Sequence, residues 1–396
     1  MTAALTPVFA DLHVHIGRTD AGEPVKISAS RGLTFRAIAE EASDRKGIGL
    51  VGIIDCHSPA VQEDIARCLD AGEMTEVPGG GIRYRDTVLL LGCEAEIREP
   101  GGGPFHLLAF LPDLDAMRRW TAWIAPRMAN VRLSSQRIRV SARVLQRELA
   151  AFGGALVPAH VFTPHRGLLG CSADRLSDRL DPDGIAAVEL GLSADSAMAG
   201  RISELDRYPF LTNSDAHSTG MIGRECNELL LETPSFAEWV KALRGEDGRR
   251  IVANYGLHPE LGKYHATFCA SCRKALPKEA ETAAVCPSCG SPKLVRGVAG
   301  RIEAIADRAF PASPAGRPPY RRQVPLNFFP GIGPVMRRRL LTEVGTEMHV
   351  LHRAPREELA AVCGEALAET IVAAREERLA FVPGSGGGYG KIVAGT

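Results

Sequence analysis

The chain has 396 residues, enough for two or three domains and a large buried core. Its 45% hydrophobic and 24% charged residues suit a globular protein, and a formal net charge of zero excludes a uniformly polybasic nucleic-acid binder, so any basic footprint must be local. Met1–Ala10 carries no basic segment ahead of an apolar one and no run of about 18 apolar residues occurs, so neither secretion nor membrane spanning is expected; a cytoplasmic protein without a membrane partner is.

From Val8 to roughly Gly256, short apolar runs alternate with amphipathic stretches, the pattern of strands joined by crossover helices. Strands are predicted near Phe9–Val14, Leu50–Ile54, Val88–Cys93, His106–Phe110, Ala155–Ala159, Ala186–Leu190, Phe210–Asn213 and Ile251–Asn254. Helices are predicted over Thr34–Arg45, Ser135–Ala151 and Phe236–Leu243. About seven or eight such units over roughly 250 residues suit a closed β/α barrel better than an open sheet. A cysteine-paired segment, Phe268–Val295, follows, then a Pro- and Arg-rich stretch, Ala309–Val324, that reads as a linker. Pro325–Arg378 reads as a helical module with hydrophobic helix pairs around Gly331-Ile332-Gly333 and Cys363-Gly364-Glu365, and the Gly-rich tail Pro383–Gly390 as flexible. The expected division is therefore a barrel over 1–262, a ribbon segment over 263–298, a linker over 299–323 and a helical domain over 324–396.

Asp11-Leu12-His13-Val14-His15 ends the first predicted strand, and side-chain alternation directs His13 and His15 to one face with chelating spacing. Later strands stop at similar groups: Asp55-Cys56-His57, Glu94 and Glu96, His106, His160 with His165 beyond it, and Asp215-Ala216-His217. In a barrel the C-terminal strand ends share one rim, so these groups would converge there. Imidazoles and carboxylates without thiolates suit zinc, manganese or iron rather than calcium, and the surplus of ligands implies two or three ions. Such a site activates water and clamps phosphate oxygens, with amide hydrolysis as the chemical rival. Glu96, Asp11 and Asp55 are expected to orient the histidines, and His165 to protonate a leaving oxygen or grip a phosphate. Arg18 and Lys26 are candidates for neutralising phosphate charge.

Cys269-x-x-Cys272 and Cys286-x-x-Cys289, with 13 residues between the pairs, present four thiolates to one structural zinc. The other cysteines, Cys56, Cys68, Cys93, Cys171, Cys226 and Cys363, read as small hydrophobes and not as disulfide partners. Between Arg308 and Thr342 lie seven arginines, Arg308, Arg317, Arg321, Arg322, Arg337, Arg338 and Arg339, and no acidic residue. This is the local basic footprint.

The strand-end motifs from Val8 to Gly256 resemble those of the polymerase and histidinol phosphatase (PHP) family of phosphoesterases. The resemblance implies that His13, His15, Glu94 and Asp215 hold one metal, that Glu94 bridges to a second held by His106 and His160, and that His57 and His217 bind a third. Zinc, manganese and magnesium are the candidate ions. At the position where the family often has a further third-site ligand, this sequence offers only Asp20, flanked by Arg18 and Lys26. The stretch Phe328–Pro334 with Arg337–Arg339 resembles the helix-hairpin-helix of DNA-repair proteins, in which Gly331 and Gly333 would let backbone N–H groups meet a DNA phosphate.

Taken with His15–Thr19, Pro24–Ile27, Gly52–Pro59, Leu133–Gln136, Asn254–Leu257 and Gly262–His265, the whole arrangement resembles the endonuclease Q family. That resemblance implies a distorted PHP-type barrel with a zinc ribbon and a helix-hairpin-helix-like C-terminus, and damaged DNA as the partner. It implies cleavage on the 5′ side of uracil, hypoxanthine, xanthine and abasic sites, with Asp215, His165 and Arg18 as catalytic groups. Tyr264 and His265 are candidates for contacting an extruded base. A replication sliding clamp is a further expected partner. A PHP-type phosphatase or exonuclease without lesion specificity is the alternative, and a DNA-binding scaffold with a degenerate metal site is the rival from another class.

Overall fold

The structure, a computed structural model, describes residues 4–281, 283–382 and 391–393. The tail 383–390, expected to be flexible, lies outside them. In chain order the elements are β1 (Thr6–Val14), α1 (Phe35–Glu40), β2 (Leu50–Ile53), α2 (Pro59–Asp70), β3 (Thr75–Glu76), β4 (Ile82–Tyr84), β5 (Thr87–Ile97), β6 (Phe105–Leu111), α3 (Leu114–Ile124), α4 (Ala142–Ala151), β7 (Ala155–Pro158), β8 (Val188–Glu189), α5 (Ser196–Ala199), β9 (Phe210–Leu211), β10 (Cys226–Leu231), α6 (Phe236–Arg244) and β11 (Arg250–Gly256). After these come β12 (Phe268–Cys269), β13 (Leu294–Val295), α7 (Val298–Ile305), β14 (Tyr320–Arg322), α8 (Pro334–Glu343), α9 (Glu347–His352), α10 (Arg356–Cys363) and α11 (Glu365–Arg375).

Strands β1, β2 and β5 lie side by side in parallel, β6 returns antiparallel to β5, and β7 is antiparallel to β6. The short parallel pair β8 and β9 continues the circle, linked to β7 by the Ala186 amide donating to the Leu156 carbonyl at 2.9 Å. The circle closes where His15 N–H donates to the Ala216 carbonyl at 3.0 Å. This is the expected barrel with one strand, β6, reversed. Antiparallel β10 and β11 widen the wall beyond β1, although β10 follows no predicted strand.

Alternation along the strands divides the core. Leu12, Leu90, Leu108, Phe110, Val157 and Leu211 fill the interior, which α6 plugs with Trp239 edge-on to Phe110 at 4.9 Å. The intervening Val51, Ile53, Leu89, Leu91 and Leu107 share an outer cluster with residues of α2 and α3. Helix α6 is bounded by chemistry visible in the sequence: Ser235 Oγ accepts from the Glu238 amide at 3.2 Å, and Gly245 takes the left-handed conformation that ends it.

Two expectations are corrected. The helix predicted over Ser135–Ala151 is only α4, capped by Ser141, and the residues before it form a loop that reaches the site. The segment 299–323 is not a free linker. Val298 and Ile302 of α7 enter the main core, Arg308 pairs with Asp206, Arg317 lies 3.7 Å above the Phe210 ring, and β14 adds to β11. These contacts strap the segment to the barrel because β11 is an edge strand with unpaired backbone groups to cover.

The C-terminal helices are docked as well. Helix α1, capped by Thr34, runs on into a π-helical turn, Glu41–Lys46. From that turn Lys46 reaches Glu347 of α9 at 2.7 Å with both side chains buried, and Glu41 faces Arg337 of α8 at 3.5 Å.

Candidate metal centre and nucleic-acid interface

One rim of the barrel opens into a cavity of about 560 Å³ lined by His15, Lys26, Glu94, His106, His160, His165, Asp215, His217, Arg224, Lys263 and Tyr264, among others. Around it three groups of potential ligands, each with its ligand atoms mutually within 4.8 Å, share members: His13, His15 and Glu94; His15, Asp215 and His217; and Glu94, His106 and His160. Glu94 stands at the middle, 3.5 Å from His13 Nε2, 2.7 Å from His106 Nδ1 and 3.5 Å from His160 Nε2.

His106 begins its strand instead of ending it. It reaches this rim because β6 runs opposite to β5, which places it directly across from Glu96. A bulge aims His13: three steps of β1, Asp11 to Val14, lie against two of β2, Val51 to Ile53. The Asp11 carboxylate serves a neighbouring loop, accepting from the amides of Ser214 at 3.0 Å and Gly223 at 2.8 Å, while the His13 ring meets the cluster. Simple alternation puts Asp11, His13 and His15 on one face, and the bulge separates them.

The ring nitrogens facing the cluster are selected by what the opposite nitrogens touch. His13 Nδ1 donates to Glu189 at 3.0 Å, His15 Nδ1 to Asp55 at 3.1 Å, and His217 Nδ1 to the carbonyl of Asp215 at 2.9 Å; each Nε2 is thereby left as an electron-pair donor. Glu189 was missed by sequence reasoning. It also accepts from the His160 amide at 2.8 Å and from Asn213 Nδ2 at 2.7 Å. Its signal was a lone carboxylate inside the apolar strand Ala186–Leu190.

Charge is balanced locally. Burial disfavours ionisation of Glu94, yet His106 and Lys26 hold its carboxyl well below the usual range. For Asp215 burial is likewise opposed, chiefly by His13 and His15, and the net shift is well downward. Asp55 falls to about 2 against burial because of His15, and burial together with His15 lowers His217 to about 4. His13 Nε2, Glu94 Oε1 and both ring nitrogens of His106 are buried without a well-formed hydrogen bond. Clustered ligand atoms with unfilled bonding capacity fit divalent cations, several in number, among these groups. The strain fits too: His160, Asp215 and Ser135 all adopt positive φ, at 28°, 47° and 53°.

Several residues expected at the site sit elsewhere. His57 joins none of these closely spaced groups: its Nε2 meets the Leu133 carbonyl at 3.2 Å and its Nδ1 is buried without a hydrogen bond, while His217 groups with His15 and Asp215. Arg18 donates to the Gly22 carbonyl and is not among the cavity-lining residues, and Asp20 faces Arg36 at 3.9 Å. Lys26 occupies the place in the wall that Arg18 was expected to share, 3.2 Å from Glu94. Ser135 also bonds Glu94, and Ser134 Oγ lies 3.3 Å from His15 Nδ1. His165 lies on the cavity wall edge-on to Tyr264 at 5.7 Å, whereas His265 turns to the Ser193 carbonyl at 3.3 Å.

In the ribbon, Cys269, Cys272, Cys286 and Cys289 bring their sulfurs within 4.8 Å of one another, a tetrathiolate suited to structural zinc. In the C-terminal helices, Gly331 has φ 92° and a Cβ on either it or Gly333 would meet open space. Packing within the chain therefore does not demand glycine at 333. Of the arginine footprint, Arg308, Arg317 and Arg337 are engaged within the protein, while Arg338 is exposed and Arg339 pairs along its own helix, with Glu343 at 3.2 Å. No helix among the described residues is long and apolar enough to cross a membrane.

A family model described as PHP-associated matches residues 196–247. The uncharacterized protein YqxK of Bacillus subtilis is 47% identical over 387 residues, covering 97% of this chain and 99% of its own length. Among solved structures, the lesion-specific endonuclease PfuEndoQ from Pyrococcus furiosus superposes with a TM-score of 0.85 at 32% identity, over 98% of this chain and 95% of that one. An endonuclease Q complex with a 27-mer duplex carrying an abasic lesion at the active site matches with the same score and identity, over 97% of its chain.

Proposed function

We infer, from the premise that this chain belongs to the endonuclease Q family, that it is a metal-dependent DNA-repair endonuclease that cuts the strand on the 5′ side of a lesion. The observation that carries the reading is the three overlapping ligand groups at the rim of a cavity, in a chain that superposes almost end to end on a lesion-specific endonuclease. A relative captured with an abasic lesion supports abasic DNA as a substrate. We extend this to uracil, hypoxanthine and xanthine, which deamination leaves mispaired with the partner of the parent base and which then enter a pocket at lower cost than a correctly paired base.

His13, His15, Glu94, His106, His160, Asp215 and His217 would hold the cations. When bound there, the ions supply the Lewis acidity that activates water and offsets charge on the phosphate in flight. The chain's own groups do the rest. Glu189 and Asp55 keep His13 and His15 in the tautomer that presents Nε2. Lys26 brings a fixed positive charge to the wall beside Glu94. His165, on the same wall, is the proposed donor of the proton that the departing 3′ oxygen needs, leaving a 3′-hydroxyl and a 5′-phosphate. Gly331, Gly333, Arg338 and Arg339 are the proposed backbone contacts to the duplex, and Tyr264 a contact to the extruded nucleotide. A cytoplasmic location and a sliding-clamp contact are further proposals; co-elution of the purified proteins tests the clamp.

Purified protein incubated with manganese or magnesium and end-labelled duplexes bearing one uracil, hypoxanthine, xanthine or abasic site tests the reading. A single cut immediately 5′ of the lesion is expected. Cutting that ignores the lesion, trimming from intact ends, or efficient release of phosphate from a monoester favours the phosphatase or exonuclease alternative.

A further inference from the structure

Ile27 is 80% exposed, and among the described residues only Phe310 of the large hydrophobic side chains is as open to water. Its sequence neighbours both line the cavity: Lys26 reaches Glu94 at 3.2 Å, and Ser28 contributes to the same wall. Consecutive Cα atoms lie about 3.8 Å apart, so Ile27, which is not itself among the lining residues, stands one residue from two positions that are.

The turn that presents it is tied down on every side. The Ala29 amide donates to the Lys26 carbonyl at 3.0 Å, closing a tight turn with Ile27 and Ser28 at its tip. The Lys26 amide donates to the Ile16 carbonyl at 2.9 Å, Ser30 to His217 at 2.8 Å, and Ser134 to Val25 at 2.9 Å. A Cβ on Gly17 would fall 1.9 Å from the Ser30 carbonyl oxygen, so the loop lies against β1 at a distance only glycine permits. Ile27 thus has a fixed mounting and, being β-branched, a stiff side chain. None of the described residues covers it, and the same turn is bonded to the backbone of His217.

We propose that Ile27 is an apolar wedge that enters the duplex at the lesion and fills the space left when the damaged nucleotide moves into the cavity. This rests on the endonuclease reading above. With the scissile phosphate over Glu94 and the lesion inside, the vacated step of the stack lies against the rim beside the cavity, and Ile27 is the side chain there with an apolar, π-compatible surface and no polar atom to desolvate. Side chains of this kind hold partly unstacked steps open in other nucleic-acid complexes. Its contribution is to specificity and extrusion, not to the bond broken.

The experiment uses the full-length protein and the variants Ile27→Ala, Ile27→Ser and Ile27→Leu, with single-turnover cutting of one lesion in two contexts: uracil paired with adenine in a duplex, and the same uracil in single-stranded DNA. Because the side chain is exposed, thermal unfolding of all variants should match the parent. Ile27→Ala and Ile27→Ser should slow cutting of the paired lesion about tenfold or more and of the single-stranded lesion less than about twofold, because the wedge offsets only the energy of unpairing. Ile27→Leu should restore the duplex rate. Equal slowing on both substrates, or no slowing on the duplex, overturns the wedge while leaving the nuclease reading intact. If the unaltered protein cuts neither substrate, the nuclease reading falls and the wedge with it.

Discussion

Replacing Glu347 with alanine tests whether the C-terminal helices are part of the catalytic body or a tethered attachment. Glu347 Oε2 lies 2.7 Å from Lys46 Nζ, the two side chains are 4% and 1% exposed, and Oε1 accepts from the Leu326 amide at 3.3 Å. Lys46 also donates to the Gly220 carbonyl at 3.3 Å, in the loop that follows Asp215 and His217. The variant leaves a buried ammonium without its countercharge, a change that costs about 3–5 kcal/mol. At about 1.4 kcal/mol per factor of ten, that weakens docking of the helices by roughly 140-fold to about 4,000-fold. Hydrogen exchange should report it as lost protection of the amides of α9 and of the 218–224 loop, with earlier unfolding in denaturant. Lys46→Met combined with Glu347→Leu should recover most of the loss, because an apolar pair of similar volume fills the space without a buried charge. A cost below about 1 kcal/mol for Glu347→Ala, as for a solvated surface pair, would refute the docked arrangement.

Asp215→Ala should abolish cutting by removing a ligand shared with His15 and His217, while gel-shift affinity for lesion DNA stays within about threefold, since the phosphate contacts lie elsewhere. Changing Arg338 and Arg339 to glutamine should weaken binding to all duplexes alike and reduce the slope of log affinity against log salt by about one to two, read from titrations at several salt concentrations. Glu225 is fully buried, and burial raises its carboxyl to about 8. Its ordinary value is about 4.3 in an unfolded chain. Its contribution to stability is therefore complete below that value, declines as pH rises, and is gone once pH passes the folded value near 8. Glu225→Gln should flatten stability between pH 5 and about 8 and leave the variant the more stable at the upper end, as denaturant midpoints across that range will show.

How much of the site could be read beforehand depended on how far apart the partners lie in the sequence. The ribbon ligands are two local knuckles, and each C-x-x-C turn brings its own pair of sulfurs together, so spacing alone named all four. The H-x-H pair and Asp215-Ala216-His217 were visible as polar punctuation after apolar strands. Glu189 was not, because its value lies in reaching His13, 176 positions away, across the barrel. Arg308 and Arg317 looked like a nucleic-acid footprint because composition cannot tell a solvated arginine from one stacked on Phe210 or paired with Asp206.

The sequence by itself determined most of the barrel's strands and which residue types gather at their ends, since periodicity, capping and ligand chemistry act within a few residues, while β10, α7 and β14 escaped it. Only the tertiary structure decided who meets whom. The reversal of β6 carried His106 to the rim, the bulge in β1 parted Asp11 from His13, and Lys26 reached Glu94 while Arg18 bonded the Gly22 carbonyl. Strand direction, register and long-range docking are set by the sum of many weak contacts between distant segments, and no local pattern encodes that sum.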